Sequence, residues 1–287
     1  MLLRNDFAVF ILSHGRANNV KTAKTLQKHG YTGRWYVLID DEDEQEDIYR
    51  KNFGDKVIQF SKKEVEKYTD VGDNLGSRKV PLFARNACFD VANDLGLIYF
   101  LELDDDYDSF DFRYEEGNKL KSEKVENLDI VFDAMIEFLE KSGALSVAFA
   151  QAGDFIGGID NRRWKQGISR KAMNTFFCTV KRPFKFVGRL NEDVNTYVSL
   201  ALKGKLFFTI SRVMIRQMLT QANPGGMSET YLDVGTYTKS FYSVMFAPSC
   251  VKIFAMGYRD YRIHHKIDWN KAAPLVLREE CKKRGEI

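Results

Sequence analysis

The stretch Gly96–Phe110, GLIYFLELDDDYDSF, decides how the chain is read. Leu97, Ile98, Tyr99, Phe100, Leu101 and Leu103 form the short apolar run of a strand buried on both faces. That run leads straight into Asp104, Asp105 and Asp106. Like charges this close repel, and each carboxylate resists the loss of water. A positive partner is needed, and a metal ion is the first expectation.

Upstream, strand and helix signals alternate. FAVFIL (Phe7–Leu12), RWYVLID (Arg34–Asp40) and KVIQF (56–60) have strand character, and LIYFLEL (97–103) is the fourth. A helical pattern after the first strand puts Val20, Ala23, Thr25 and Leu26 roughly on one side and stops at Gly30. PLFARNACFDVANDLG (81–96) is a second helix, with Ala84, Cys88, Val91 and Leu95 on one face. This alternation predicts an α/β domain with a largely parallel sheet. In such sheets ligands bind beyond the carboxyl ends of the strands. Three polar clusters fall at such ends: Ser13-His14-Gly15-Arg16, Asp40-Asp41-Glu42-Asp43 and Asp104-Asp105-Asp106. A solvated loop explains any one of them; three at one sheet edge predict a site.

The 287 residues, 44% hydrophobic and 29% charged, suffice for a buried core without staples. A net charge of +3 does not announce nucleic-acid binding, so any basic surface is local. Cys88, Cys178, Cys250 and Cys281 are scattered, which fits reduced thiols and offers no zinc framework. Arg4, Asn5 and Asp6 interrupt the apolar N-terminus, which reads as a first strand and not a signal peptide. No apolar stretch approaches the roughly 20 residues of a membrane span, so a cytoplasmic location is expected. After Asp106 come an amphipathic helix (125–143), ALSVAFAQAG (144–153), a Gly- and Arg-rich stretch to about Arg182, a helix-then-strand segment (191–210) and a mixed tail (214–287). One domain, with an α/β first half and an irregular second half, is the expected organisation.

Two metal sites suit the aspartates. In an EF-hand loop Asp104, Asp106 and Asp108 would be ligands and Glu115 the bidentate glutamate, but Ser109 stands where Gly is needed, and the entering segment is a strand. The other is an Asp-x-Asp site at a strand end, where a cation bridges two phosphates of a nucleotide. A departing nucleoside diphosphate builds up charge that a metal neutralises without proton transfer. The bland alternative is a solvated acidic turn, and the apolar strand counts against it.

ILSHGR (11–16), YTGRWYVLIDDED (31–43), ARNACFDVA (84–92), YFLELDDDY (99–107), NEDV (191–194) and RIHHKI (262–267) together resemble glycosyltransferases of the GT-A fold. More narrowly, they resemble the phage-encoded TET-associated glycosyltransferases, implicated in sugar transfer to hydroxymethylated pyrimidines of phage DNA. The resemblance implies a GT-A-like α/β fold, a mostly parallel sheet flanked by helices. Residues 1–110 would be the nucleotide-sugar-binding half and 111–287 the irregular, acceptor-binding half of a single domain, 1–287. It implies a UDP-sugar donor and Mn²⁺ or Mg²⁺. Ser13, His14 and Arg16 would lie against the nucleotide, Asp40 or Asp41 would face the base, and Arg85 would approach the diphosphate or the acidic cluster. Asp104, with Asp105, would contact donor ribose or sugar. Asp106 would bind metal, completed by His264 or His265. Blander roles exist: Arg85 pairing with Asp90, His14 capping a helix, and the 40–44 run as a solvated loop.

In NEDV, Asp193 is the expected general base, taking the proton of an acceptor hydroxyl as it attacks the anomeric carbon, if configuration inverts. Glu192 would orient the acceptor. A capped helix start, with Asn191 as cap and Glu192 and Asp193 at the positive end, explains the same residues structurally. Arg162, Arg163, Trp164 and Lys165, near Phe176, Phe177, Phe184 and Phe186, suit a DNA backbone and its bases. A 5-hydroxymethyl group lies in the major groove, so it is reachable without base flipping. Two other readings stand beside this one: a glycan, lipid or protein acceptor, and a non-enzymatic nucleotide- or DNA-binding protein on the same scaffold.

Overall fold

The computed structural model describes residues 4–217, 235, 237–257 and 262–274. Much of the mixed tail and Cys281 lie outside them. The first part alternates β1 (Phe7–Leu12), α1 (Lys21–Lys28), β2 (Arg34–Asp40), α2 (Glu46–Phe53), β3 (Val57–Phe60), α3 (Lys62–Glu66), α4 (Pro81–Asp94) and β4 (Tyr99–Asp104). β1 pairs in parallel with β2 and β4, and β2 with β3. The predicted parallel unit is therefore present.

The second half is more regular than its sequence implied. It supplies β5 (Tyr107–Glu116), β6 (Lys119–Lys124), α5 (Leu128–Ser142), β7 (Ser146–Gln151), α6 (Arg162–Gln166), β8 (Ile168–Ser169), β9 (Phe176–Thr179), α7 (Glu192–Ala201) and β10 (Phe207–Gln217). These strands extend the same sheet. Its order is β3-β2-β1-β4-β9-β7-β10-β5-β6, with β8 on β10. β9 runs antiparallel to both β4 and β7, and β10 is parallel to β7 but antiparallel to β5. The hairpin β5–β6 turns at Gly117 and Asn118, whose φ of 54° and 58° suit a two-residue connection of the I′ type. The supposed calcium loop is thus a strand. A separate hairpin, β11 (Val251–Met256) with β12 (Arg262–Ile267), packs on α8 (Thr238–Phe246).

Period-2 alternation builds a core on each side of the sheet. Ala8, Phe10, Leu12 and Phe100 face the cluster containing α4, whereas Val9, Ile11, Leu101 and Leu103 face the cluster containing α1 and α5. Pro81 opens α4, where its missing N–H costs nothing. The Asn127 side chain caps α5, which ends at Gly143 with φ 64°. Cys88, Cys178 and Cys250 are buried free thiols. No helix of the described residues is long and apolar enough to cross a membrane.

Candidate active site

The three polar clusters meet at one edge because β2, β1 and β4 are neighbours running the same way. Ser13 Oγ donates to Asp105 Oδ2 at 2.6 Å and lies 2.7 Å from Tyr49 Oη. Arg16 reaches Asp105 Oδ1 at 2.9 Å. His14 Nδ1 lies 2.8 Å from Asp40 Oδ2, and Lys62 Nζ lies 2.8 Å from Asp40 Oδ1. Asp43 accepts from the Gly15 backbone N–H at 2.8 Å, and Asp41 from the Lys62 N–H at 2.9 Å.

These bonds engage several of the residues expected at the donor. Asp40 and Asp105 are buried, and protein partners bind both oxygens of each carboxylate, so both hold the edge together. Burial raises the Asp40 carboxyl, but hydrogen bonds from His14 and Lys62 outweigh it and leave the group below its usual range. Burial dominates at Asp105, whose carboxyl stays raised although Ser13 and Arg16 oppose the shift. Ser13 is itself buried and bonded to Asp105 and Tyr49. His14 and Arg16 bind acidic neighbours but are only part-buried. Asp41 is exposed.

The conflict posed by the acidic strand end is resolved first by arginine. Alternation along β4 sends Glu102 and Asp104 to the α4 side, where Arg85 waits. Its Nε donates to Glu192 Oε1 at 3.0 Å, its Nη2 to Asp104 Oδ1 at 3.1 Å and its Nη1 to Glu102 Oε2 at 3.4 Å. Arg85 is 3% exposed, with its guanidinium carbon 4.9 Å from the centre of the Phe176 ring. Burial works against its charge, but Asp104, Glu192 and Glu102 more than offset that and hold it well above its ordinary value. Burial pushes Glu102 up to about 8 despite Arg85. The pairing of Arg85 with Asp90 is not formed; Asp90 accepts from Tyr68.

Asp106 is what remains of the triplet. It accepts no hydrogen bond from another residue among those described. Burial, then Asp104 and Asp105, push its carboxyl up to about 7. Arg16 opposes the shift only in part.

α7 begins at Glu192, and Asn191 before it takes φ 61°. Asn191 does not cap the helix. Its Nδ2 donates to Ser243 Oγ at 2.8 Å and to His265 Nδ1 at 3.2 Å. Ser243 donates onward to Asn195 Oδ1 at 2.9 Å. This relay makes His265 Nδ1 an acceptor and puts the neutral ring's proton on Nε2. Burial, helped by His264 and Lys239, lowers His265 to about 4. His264 has the other tautomer: its Nδ1 donates to the His265 carbonyl at 2.9 Å, leaving the Nε2 lone pair available. Glu192 is turned onto Arg85, with Oε1 accepting from its Nε. Asp193 is buried, and its Oδ1 accepts from the Val194 N–H at 2.7 Å. Burial, then Glu192, raise its carboxyl to about 7.

The basic helix α6 is largely self-satisfied. Trp164 is 3% exposed and lies beneath Arg212, whose guanidinium carbon is 3.8 Å from its ring centre, so it cannot stack a base. Arg163 pairs with Asp154 at 2.6 Å and Lys165 with Asp160 at 2.9 Å. Only Arg162 of the four is exposed without an ion pair among the described residues.

Residues 7–226 match the family described as TET-Associated Glycosyltransferase. The chain belongs to that family. No relative is found among curated proteins. Among solved structures, glucosyl-3-phosphoglycerate synthase from Mycobacterium tuberculosis in complex with Mg²⁺ and UDP aligns at 9% identity and a TM-score of 0.46, covering 91% of this chain and 87% of that one. The same enzyme with Mn²⁺ and UDP-glucose aligns at 7% identity and a TM-score of 0.45, covering 91% and 86%.

For this TET-associated glycosyltransferase the site offers two kinds of carboxylate. Glu102, Asp104 and Glu192 are held by Arg85; Asp106 and Asp193 are crowded and raised, with Arg16 opposing the shift at Asp106 and Arg85 and Lys239 opposing it at Asp193 only in part. No three His, Cys, Asp or Glu side chains among the described residues converge as a ready-made metal site, so Asp106, His264 and His265 do not form one by themselves. A divalent cation still fits Asp106, because a shared cation is what would return that carboxylate to its ionised form. Sequence reasoning overlooked Glu102, Tyr49 and Lys62. Glu102 alone left a signal, a charge inside an otherwise apolar strand, which calls for a buried cation.

Proposed function

We propose that this glycosyltransferase moves a sugar from a UDP-sugar to the hydroxymethyl oxygen of 5-hydroxymethylcytosine in DNA, with inversion at the anomeric carbon. The observation that carries this reading is Asp193: a buried carboxyl raised to about 7 in the first turn of α7, next to the residue that grips Arg85. A base poised near neutral pH is matched to removing a proton from a hydroxyl during attack. The acceptor oxygen bonds to the anomeric carbon, the bond from that carbon to the diphosphate breaks, and the diphosphate leaves with the electron pair. Asp193 takes the hydroxyl proton. Arg85 holds Asp104 and Glu192 in fixed relation, so the donor side and the base side keep their spacing as the reaction proceeds.

Asp106 would hold Mn²⁺ or Mg²⁺, with donor phosphates supplying further oxygen ligands, and His264 is the histidine whose tautomer suits a metal. When bound, the cation neutralises charge developing on the departing diphosphate. The family supports the DNA acceptor through its association with TET enzymes. The test is incubation with Mn²⁺, a panel of nucleotide sugars, and duplex DNA with or without 5-hydroxymethylcytosine, followed by mass spectrometry of the nucleosides. A pentose or hexose added only to the hydroxymethylated base is expected. Release of nucleoside diphosphate with unmodified DNA in every reaction would move the acceptor to a glycan, lipid or protein.

A further inference from the structure

Lys252 and Lys266 stand directly opposite each other in the antiparallel register of β11 and β12. Both are exposed, and neither makes an ion pair among the described residues. Like charges facing across a ladder weaken the pair, so the arrangement is a liability unless an anion joins it. By strand alternation Phe254, 36% exposed, shares the face of Lys252. The opposite face of the hairpin is fixed to the chemistry: His265 on β12, paired with Ile253, is bonded to Asn191, the residue before Glu192 and Asp193. Of the expected DNA contacts on α6, Arg163 and Lys165 are meanwhile occupied by Asp154 and Asp160 and Trp164 is buried, which leaves Arg162 alone.

Resting on the DNA acceptor proposed above, we infer that the phosphodiester backbone of the acceptor duplex docks on this face of the β11–β12 hairpin. Lys252 and Lys266 take phosphates, and Phe254 packs against the sugar or an exposed base. The contact reads no sequence. It holds the duplex on a hairpin whose opposite face is fixed to the start of α7 through His265, leaving selection of the base to the site itself.

The test is fluorescence anisotropy of a labelled duplex containing 5-hydroxymethylcytosine, titrated at several salt concentrations. For the double variant K252Q/K266Q, the slope of log affinity against log salt should be shallower than the parent's by about 1.8, the value for two lost phosphate contacts. Between about 50 and 200 mM salt the parent should then lose about twelvefold more affinity than the variant. F254A should weaken binding about tenfold with the slope unchanged. K252R/K266R should restore the parent slope. The melting temperature of K252Q/K266Q should equal or exceed the parent's, because a repulsion has been removed; this separates lost docking from lost fold. If the parent binds DNA and K252Q/K266Q binds with the same slope and affinity, the hairpin is not the docking face, and the DNA acceptor stands. The hairpin is equally excluded if R162E, and not the lysine pair, flattens the slope. A parent protein that binds no duplex at any salt overturns both the docking face and the acceptor.

Discussion

Replacing Arg85 by Met tests the network that holds the site together. Methionine keeps an unbranched stem against Phe176 and Phe186 but removes the charge shared by Glu102, Asp104 and Glu192. Glu102 can escape by protonation, since its carboxyl already sits at about 8 with Arg85 beside it. The penalty therefore falls on Glu192 and Asp104, one buried and one half-buried. Removing one partner of a buried ion pair costs about 3–5 kcal/mol, and that range is the expectation here. Arg85→Lys keeps the charge but offers one donor point to three separated acceptors, so it should lose less, about half as much. The assay is urea unfolding at pH 7.5, read by tryptophan fluorescence. The midpoint should fall with the denaturant slope unchanged. A loss under about 1 kcal/mol for Arg85→Met would mean that the three carboxylates are not held by this cation.

Asp193→Asn should lower kcat/KM by about 10²–10⁴-fold while leaving donor affinity intact, measured by release of nucleoside diphosphate. In the parent, a base near 7 should make kcat/KM rise about tenfold between pH 6 and pH 8, and that rise should vanish in the variant. Asp106→Ala should abolish stimulation by Mn²⁺ without shifting the thermal midpoint downward; undiminished stimulation in a metal titration would remove Asp106 from cation binding. Glu102, Asp106 and Asp193 all have carboxyls raised in the folded chain, so at these groups the folded state binds more protons than the unfolded one between about pH 4.5 and 8, while the lowered His265 opposes them below about pH 6.5. Stability should consequently decline as pH rises from about 6.5 towards 8, by at most about 1.4 kcal/mol per unit for each group. Glu102→Gln should make that decline shallower in urea titrations across the range.

The first half of the fold was legible because its signals are local: apolar strands, helical periodicity and polar residues at strand ends. That Ser13–Arg16, Asp40–Asp43 and Asp104–Asp106 share one edge followed from parallel topology alone. Their individual roles did not follow. Asp105 and Asp106 are identical neighbours in sequence, and only the turn after β4 sends one into Ser13 and Arg16 and leaves the other crowded by Asp104 and Asp105. Arg85 meets Glu102 and Glu192 across separations of 17 and 107 residues, which no periodicity reports. Trp164 looked like a stacking platform among basic residues, but its ring closes a small core with Phe155 and Met214. The β5–β6 hairpin was missed because its acidic residues drew a metal reading, although Gly117-Asn118 carried a turn signal.

A single displacement with Asp193 as base is tested most directly by the anomeric configuration of the product. NMR of the glycosylated nucleoside, compared with the donor sugar, gives the answer without assuming which residue acts. Inversion is predicted. A product that retains the donor's configuration would contradict the proposed chemistry, because a single attack by the acceptor oxygen with Asp193 taking its proton cannot produce it.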